Sequence, residues 1–290
     1  MKNCPVCGSQ TFDLFLSGKD YFLTGESFNI MKCRECGFRF TNPRPQAEAL
    51  GRYYESPEYI SHSDSKKGLF ASVYQQMRKY TLVQKYTLIT KLQQKGEILD
   101  IGCATGQFLN YMAKHGWKCT GIEPDEKTRF YAISEYGLQV FAEGQLDLFE
   151  KSSFDVITMW HVLEHVSDLN GRLMQLNKLL KPQGSLLVAV PNCDSYDAKK
   201  YDKFWAGYDL PRHLYHFTKT DVKLLMEKHG FTIVNILPMK FDAFYVSLLS
   251  EKYKSGKMRW IPAIWNGFWS NLKSKGEIGH SSLIYVMKKK

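Results

Sequence analysis

Long apolar runs are missing from this chain of 290 residues: no stretch supplies the roughly 20 consecutive apolar residues that a membrane-spanning helix requires. The first residues, MKNCP, hold no apolar core of the kind a secretory signal needs, so a cytoplasmic location is expected. Internal repeats and low-complexity tracts are absent too, which excludes solenoids and collagen-like chains. Cysteine is sparse at 7 residues, and in a reducing compartment these thiols are expected as metal ligands or buried core groups, not disulfides. Acidic residues run short: 29 Asp and Glu against 39 Lys and Arg give a formal charge of +10. That balance admits an anionic partner, whether nucleic acid, an anionic lipid surface or a phosphorylated substrate, and selects none of them. Part of the excess is the lysine run 288–290, read as a solvated end. The length suffices for one large domain with a sizeable core plus one small module.

Residues 97–125, EILDIGCATGQFLNYMAKHGWKCTGIEPD, organise the rest. An apolar run at 98–101 leads into a turn flanked by Gly102 and Gly106. Phe108, Leu109, Met112 and Ala113 then recur at helical spacing until Gly116, and a second strand over 118–122 ends at Glu123. Strand, glycine turn, helix and strand make a βαβ unit with a right-handed crossover. Such a turn raises backbone N–H groups at a helix N-terminus, where an anionic group can sit. Glu123, at the strand tip, is placed to accept from two ribose hydroxyls. The spacing is Asp-x-Gly-x-x-x-Gly, not the Gly-x-Gly-x-x-Gly of dinucleotide sites, which favours an adenosyl ligand without a pyrophosphate.

The amino-terminal segment carries a second motif. Cys4-x-x-Cys7 and Cys33-x-x-Cys36 are each followed directly by glycine, at Gly8 and Gly37. Two such knuckles deliver four thiolates from tight turns, the soft tetrahedral set that structural zinc prefers, with no position left open for substrate. The residues between them read as strands at 11–16 and 28–32, hence a ribbon. Cys103, Cys119 and Cys193 fall at apolar positions and read as core thiols.

Taken together, DIGCATG and the acidic strand end resemble the cofactor motifs of class I S-adenosylmethionine-dependent methyltransferases. CxxCG followed by TNPRP and YYESPEYISH resembles bacterial methyltransferases with an amino-terminal four-cysteine module, some of which act on sugar nucleotides, glycans or quinone-type small molecules. The resemblance implies an α/β fold: a doubly wound, seven-stranded, mostly parallel Rossmann-like sheet preceded by a small zinc ribbon. It divides the chain into a ribbon at 1–45, a linker and helical lead-in at 46–95, and a methyltransferase domain at 96–290. Within the lead-in, a short helix over 46–54 is expected to end in a loop that folds over the cofactor, and 66–95 reads as a packing helix. By the same resemblance Asp100, Gly102, Cys103, Ala104, Gly106, Glu123 and Pro124 border the cofactor. Gln145 and Leu146 stand where the family holds adenine, with Gln145 in place of the usual acidic residue, and Trp160 and His161 stand at the methyl-transfer pocket.

Further strands are expected at 138–141, 154–159 and 185–190, with a last, antiparallel pair at 231–237 and 281–287. Residues 193–217 form a long polar and aromatic connection where a short one is usual. Its DLPRHLYHF places Arg212, His213 and His216 beside a carboxylate. Methyl transfer needs an oriented acceptor and, for a hydroxyl or ammonium, a proton acceptor. His213 or His216, together with His161, are the catalytic candidates; His165 reads as a local cap, and Arg212 as a ligand of a phosphate or of a nearby carboxylate. Over about 241–279 an insertion carries Trp260, Ile261, Ile264, Trp265, Phe268 and Trp269 among Lys and Arg. It reads as a helical subdomain with its apolar face buried, the alternative being peripheral membrane contact or a lipid-linked acceptor.

The expected activity is methyl transfer from S-adenosylmethionine, with S-adenosylhomocysteine as product and Zn2+ as scaffold, to a sugar nucleotide, glycan or lipid-linked small molecule. An RNA methyltransferase that reads nucleic acid with its ribbon is the first alternative, although the chain lacks the Asn-Pro-Pro-aromatic and Pro-Cys signatures of many such enzymes. A non-catalytic binding protein of the same fold is the second. The sequence does not specify the oligomeric state.

Overall fold

The computed structural model describes residues 1–55, 69–274 and 278–290, without the side chains of 47–48 and 69–75. The loop expected over the cofactor lies largely outside these residues, as do 66–68 of the lead-in helix and 275–277 of the insertion. Strands run in the order β1 (Phe12–Lys19), β2 (Ser27–Cys33), β3 (Arg39–Thr41), β4 (Glu97–Ile101), β5 (Lys118–Ile122), β6 (Gln139–Phe141), β7 (Phe154–Trp160), β8 (Leu180–Pro191), β9 (Tyr215–His216), β10 (Phe231–Pro238) and β11 (Ser282–Lys289). The helices are α1 (Ala47–Leu50), α2 (Leu69–Leu92), α3 (Gln107–Lys114), α4 (Glu126–Tyr136), α5 (Leu169–Leu179), α6 (Tyr196–Tyr201), α7 (Lys219–Lys228), α8 (Asp242–Ser255) and α9 (Trp260–Leu272). Seven strands form one sheet in the order β10-β11-β8-β7-β4-β5-β6, the doubly wound α/β architecture expected. Its four strands β7, β4, β5 and β6 are parallel neighbours.

By packing, the chain divides into two units: 56–160, 173–187 and 287–290 form one, and 1–55, 161–172 and 188–286 the other. In the first, β4 and β7 bury Ile98, Leu99, Val156, Ile157 and Met159 completely. Strands covered on both faces read as unbroken apolar runs, which is why 98–101 and 154–159 were legible as strands. Helix α3 presents Phe108, Leu109 and Met112 to this core. Gly121 of β5 leaves no space for a methyl group: a Cβ there would lie 2.7 Å from Cys103 Sγ and 2.9 Å from Leu109 Cδ1.

In the second unit, β1 and β2 form an antiparallel hairpin, β3 extends it, and β9 from the 193–217 connection completes a four-stranded sheet by pairing Arg39 with His216 and Phe40 with Tyr215. The connection is therefore structured, with α6, two short 3₁₀ turns and a strand, and it packs Cys193, Ala198, Tyr201, Trp205, Tyr208 and Leu210 around Ile30 of β2. Asp197, fully buried in α6, accepts from Trp205 Nε1 (2.8 Å), Ser270 Oγ (2.7 Å) and Ser281 Oγ (2.6 Å). A carboxylate out of water is tolerable only when its lone pairs are taken in this way.

The insertion departs from expectation. Helix α9 buries its small and polar residues Ala263, Asn266, Gly267 and Ser270, and turns its large apolar ones outward, with Ile261 84%, Trp265 59% and Phe268 52% exposed. Close approach of α8 explains the inversion: a Cβ on Gly267 would lie 2.9 Å from the Phe244 Cα, so only a small-residue face fits there.

Arg212 settles onto local carboxylates. It is 1% exposed and donates from Nη2 to Asp20 Oδ1 (2.9 Å), from Nε and Nη2 to Asp209 (2.9 and 2.6 Å) and from Nη1 to the Tyr53 carbonyl (2.9 Å). Removing one partner of such a pair strands the other charges in a dry site. Arg212→Met is expected to lower unfolding free energy by about 3–5 kcal/mol in urea titrations; a loss below about 1 kcal/mol, the worth of an exposed pair, would contradict the buried network.

Candidate active site

The turn after β4 is built from backbone bonds and left-handed residues. The N–H groups of Gly102 and Cys103 both donate to the Ile122 carbonyl, at 2.7 and 3.0 Å, which ties the turn to the end of β5. Gly102 (φ +70°), Ala104 (φ +48°) and Gly106 (φ +75°) adopt conformations that favour glycine, and Gly106 caps α3. A Cβ on Gly106 would meet Leu138 Cδ1 at 2.6 Å and Ala132 Cβ at 2.9 Å. Ala104 has no glycine's freedom, so the surrounding structure holds it there under strain, as often happens where a ligand is gripped.

Glu123 reaches back to this turn. Its Oε2 accepts from the Ala104 N–H and its Oε1 from the Asp125 N–H, both at 2.9 Å. Burial raises its pKa, only partly offset by these two N–H groups. Pro124 holds the start of α4 through its carbonyl, which accepts from Arg129 Nη1 at 3.1 Å. Asp100, 2% exposed on β4, accepts from Thr158 Oγ1 at 2.6 Å. Its pKa is pushed up from 3.8 to about 7 by burial, against the pull of the Thr158 hydroxyl and Lys85. Cys103 is buried beside these carboxylates, and burial raises its thiol far above the usual range. Leu146 is buried, whereas Gln145 is exposed and spends its side-chain carbonyl on the Ala142 N–H at 3.0 Å, capping its own turn. Trp160, at the tip of β7, packs edge-on to Phe108, with Lys85 Nζ 4.2 Å from its ring centroid, while its buried Nε1 has no hydrogen-bond partner. Lys85 escaped sequence reasoning because on a helix it looks like any solvated lysine.

His161 follows, left-handed at φ +58°. Its Nδ1 lies 3.3 Å from Glu164 Oε1 and its Nε2 3.0 Å from Asp242 Oδ2. Burial works to lower its pKa, but the two carboxylates prevail and raise it to about 10, so the ring is an imidazolium at neutral pH although a third of it is exposed. Glu164 stood in the motif three residues on; Asp242, 81 positions away on α8, left no local trace. His213 sets Nδ1 against the Gly207 carbonyl at 2.8 Å, whereas His216, 3% exposed, sits 3.1 Å from the Thr41 hydroxyl with its pKa pressed well down by burial and by His213. His165 is held neutral, its pKa lowered to about 4 by burial and by His213.

The four ribbon thiols of Cys4, Cys7, Cys33 and Cys36 lie within 4.8 Å of one another, with Cys4 Sγ 3.6 Å from Cys36 Sγ and Cys7 Sγ 3.5 Å from Cys33 Sγ. Gly8 (φ +82°) and Gly37 (φ +79°) close the two knuckles, their N–H groups donating to the Cys4 and Cys33 carbonyls.

Residues 74–236, more than half of the chain, match a family described as methyltransferase domain. The chain belongs to that family. Curated relatives named ubiquinone biosynthesis O-methyltransferase include those of Pasteurella multocida, 34% identical over 33% of this chain and 46% of its own length, and Maricaulis maris, 32% identical over 42% and 52%. The matched part thus spans about half the length of these relatives. Among solved structures, a SAM-dependent methyltransferase from Archaeoglobus fulgidus superposes with a TM-score of 0.52 at 18% identity, covering 73% of this chain and 94% of that one. Magnesium protoporphyrin IX methyltransferase from Synechocystis, with bound SAH, reaches 0.56 at 14% identity, covering 84% and 100%. At such identities these two establish a shared fold.

The methyltransferase domain's buried Asp100 makes stability depend on pH. An acid whose folded pKa exceeds its unfolded one keeps a proton that the unfolded chain has lost, so between the unfolded value and about 7 stability falls as pH rises. Asp100→Asn removes this dependence. Relative to wild type the ligand-free variant is expected to gain stability across that window, by at most about 1.4 kcal/mol per pH unit in denaturant titrations; parallel stability curves would refute the assignment.

Proposed function

We propose that this chain is an S-adenosylmethionine-dependent methyltransferase acting on a small molecule through an oxygen nucleophile, with zinc as the scaffold of its ribbon. The observation that carries the reading is the closed turn facing Glu123. Each Glu123 oxygen takes one backbone N–H and keeps a lone pair that a ribose hydroxyl fits. Trp160 Nε1 adds a buried donor in want of an acceptor. Asp100, Gly102, Cys103, Ala104, Gly106, Glu123, Pro124, Leu146 and Trp160 are the residues we assign to the cofactor, and Gln145 would have to give up its own cap to join them. Bound S-adenosylmethionine supplies a sulfonium methyl for in-line displacement.

His161, joined directly to Trp160, is the histidine we assign to the acceptor. Held between Glu164 and Asp242, it is a fixed polar surface that orients the acceptor oxygen. It is not a free base, since both ring nitrogens already donate. The names of the curated relatives favour oxygen as the attacked atom. The outward apolar face of α9, flanked by Lys257 and Arg259, favours an acceptor that is itself apolar or lipid-linked.

For the ribbon, tetrahedral zinc with Zn–S bonds of about 2.3 Å has sulfur–sulfur edges of roughly 3.8 Å, close to the spacings of Cys4 with Cys36 and Cys7 with Cys33. Four thiolates leave no open position, which assigns the ion a structural role.

Calorimetric titration with S-adenosylmethionine and S-adenosylhomocysteine, on protein freed of co-purified ligand, tests the cofactor. Micromolar binding is expected, lost in Gly106→Trp and weakened about 10- to 100-fold in Glu123→Ala, whose carboxylate hydrogen bonds are worth about 1.5–3 kcal/mol. Absence of binding by clean, folded wild type would overturn the reading; an acceptor screen, with quinone-type and lipid-linked hydroxyls beside sugar nucleotides and RNA, follows binding. Cys33→Ser is expected to lose zinc by elemental analysis and to loosen β1 to β3 in hydrogen exchange; full metal retention would remove the four-thiolate assignment.

A further inference from the structure

Beside His161 stands a group of ligand atoms that cofactor binding does not use, although one of its members, Glu164, also flanks that ring. Glu164 is fully buried, and while its Oε1 faces His161 Nδ1 at 3.3 Å, its Oε2 has no hydrogen-bond partner. A buried carboxylate oxygen without a donor is costly and calls for an occupant. Two imidazoles stand beside the same carboxylate, His213 on the side of its Oε1. His165 and His213 meet edge to face with centroids 4.6 Å apart, and His213 Nε2 is 4.0 Å from Glu164 Oε1.

The tautomers of both rings are fixed by what lies behind them. His165 Nδ1 is 3.1 Å from both the Arg212 carbonyl and the Tyr54 hydroxyl, which can accept alongside it, and His213 Nδ1 is 2.8 Å from the Gly207 carbonyl. A carbonyl only accepts, so each Nδ1 carries a proton, and Nε2 is the nitrogen of each ring left to ligate. That is the arrangement of metal-ligating histidines, whose far nitrogen is oriented by a backbone carbonyl or carboxylate. Asp209, 4.0 Å from His213 Nε2, is spent on Arg212, so Glu164 is the carboxylate available.

We propose that Glu164, His165 and His213 form a binding site for a divalent first-row transition-metal ion, separate from the four-cysteine site. Each residue brings one ligand atom within 4.8 Å of the others. Metal–ligand bonds of about 2.1 Å set ligand atoms roughly 3–3.5 Å apart, so occupancy draws the three side chains inward by small rotations. Two imidazoles and one carboxylate suit zinc, iron(II), cobalt or manganese, whereas magnesium prefers an all-oxygen shell. Three protein ligands leave positions open for an oxygen ligand such as water or a hydroxylate. This site is independent of cofactor binding, and its failure would leave the methyltransferase reading untouched.

The test uses the full chain, stripped with a chelator and titrated with cobalt(II). Thiolate-bound cobalt shows intense sulfur-to-metal charge-transfer absorption, which a nitrogen and oxygen site lacks, so one titration reads both sites. Two cobalt ions per chain are expected in wild type. His213→Ala and Glu164→Gln lose the second ion, by more than the roughly 10- to 100-fold that an outer-shell change costs, with the thiolate band intact. Cys33→Ser loses the band and keeps the second ion. Should His213→Ala fail to fold by circular dichroism, His165→Gln decides in the same assay. A single, thiolate-bound cobalt in wild type overturns the proposal, as does a second ion that survives His213→Ala and His165→Gln unchanged.

Discussion

The Arg212 guanidinium, sealed from solvent between Asp20, Asp209 and the Tyr53 carbonyl, is the interaction on which its unit depends. It joins three stretches that no local propensity would bring together: the hairpin loop after β1, the end of the short turn after α1, and the connection that follows β8. Asp20 is itself locked, accepting from the backbone N–H groups of Phe22, Leu23 and Thr24. With Arg212 pinned, His213 meets the Gly207 carbonyl and β9 adds to the ribbon sheet beside β3. A desolvated ion pair of this kind contributes little net energy against an apolar substitute, but it penalises every other arrangement of the same segments.

Both units contain strained backbone. Among the described residues, Ala104, Ser152, His161, Asp202 and Asp209 have positive φ without being glycine, and three of them stand beside groups discussed above. One lies in the turn beneath Glu123, one directly after the tip of β7, and one is the partner of Arg212. Backbone in that region persists only where its surroundings over-determine it, here by Glu123 on Ala104, by the Ala189 carbonyl and two carboxylates on His161, and by the guanidinium on Asp209.

The charge pattern around His161 changes what a histidine in such a motif can do. A ring between two carboxylates is a cation whose two N–H groups are already spent on them, which removes it as a base. His216 is the converse case, buried and held neutral next to a threonine hydroxyl. Residue type placed both among the catalytic candidates; surroundings gave them different protonation states.

Much of the fold was legible in order along the chain. Strands β4 and β7 read directly as apolar runs, β5 followed from its place after a glycine-stopped helix, and the glycines at 102, 106, 8 and 37 marked turns that left-handed residues close, because these signals are local and concern backbone sterics and burial of a continuous strand. The pairing of the two cysteine knuckles was equally local in kind, set by ligand spacing. The tertiary structure decided what depends on contacts distant in sequence. It turned α9 inside out, because Phe244 of α8 approaches too closely for anything but Gly267. It gave 193–217 a strand and a core, because Ile30 and β3 offered them a partner. It supplied Asp242 to His161 across 81 residues, and set Glu164 among three imidazoles. A sequence records which groups are present; the electrostatics of a site arise from which of them are desolvated together, and that is fixed only when the chain has closed.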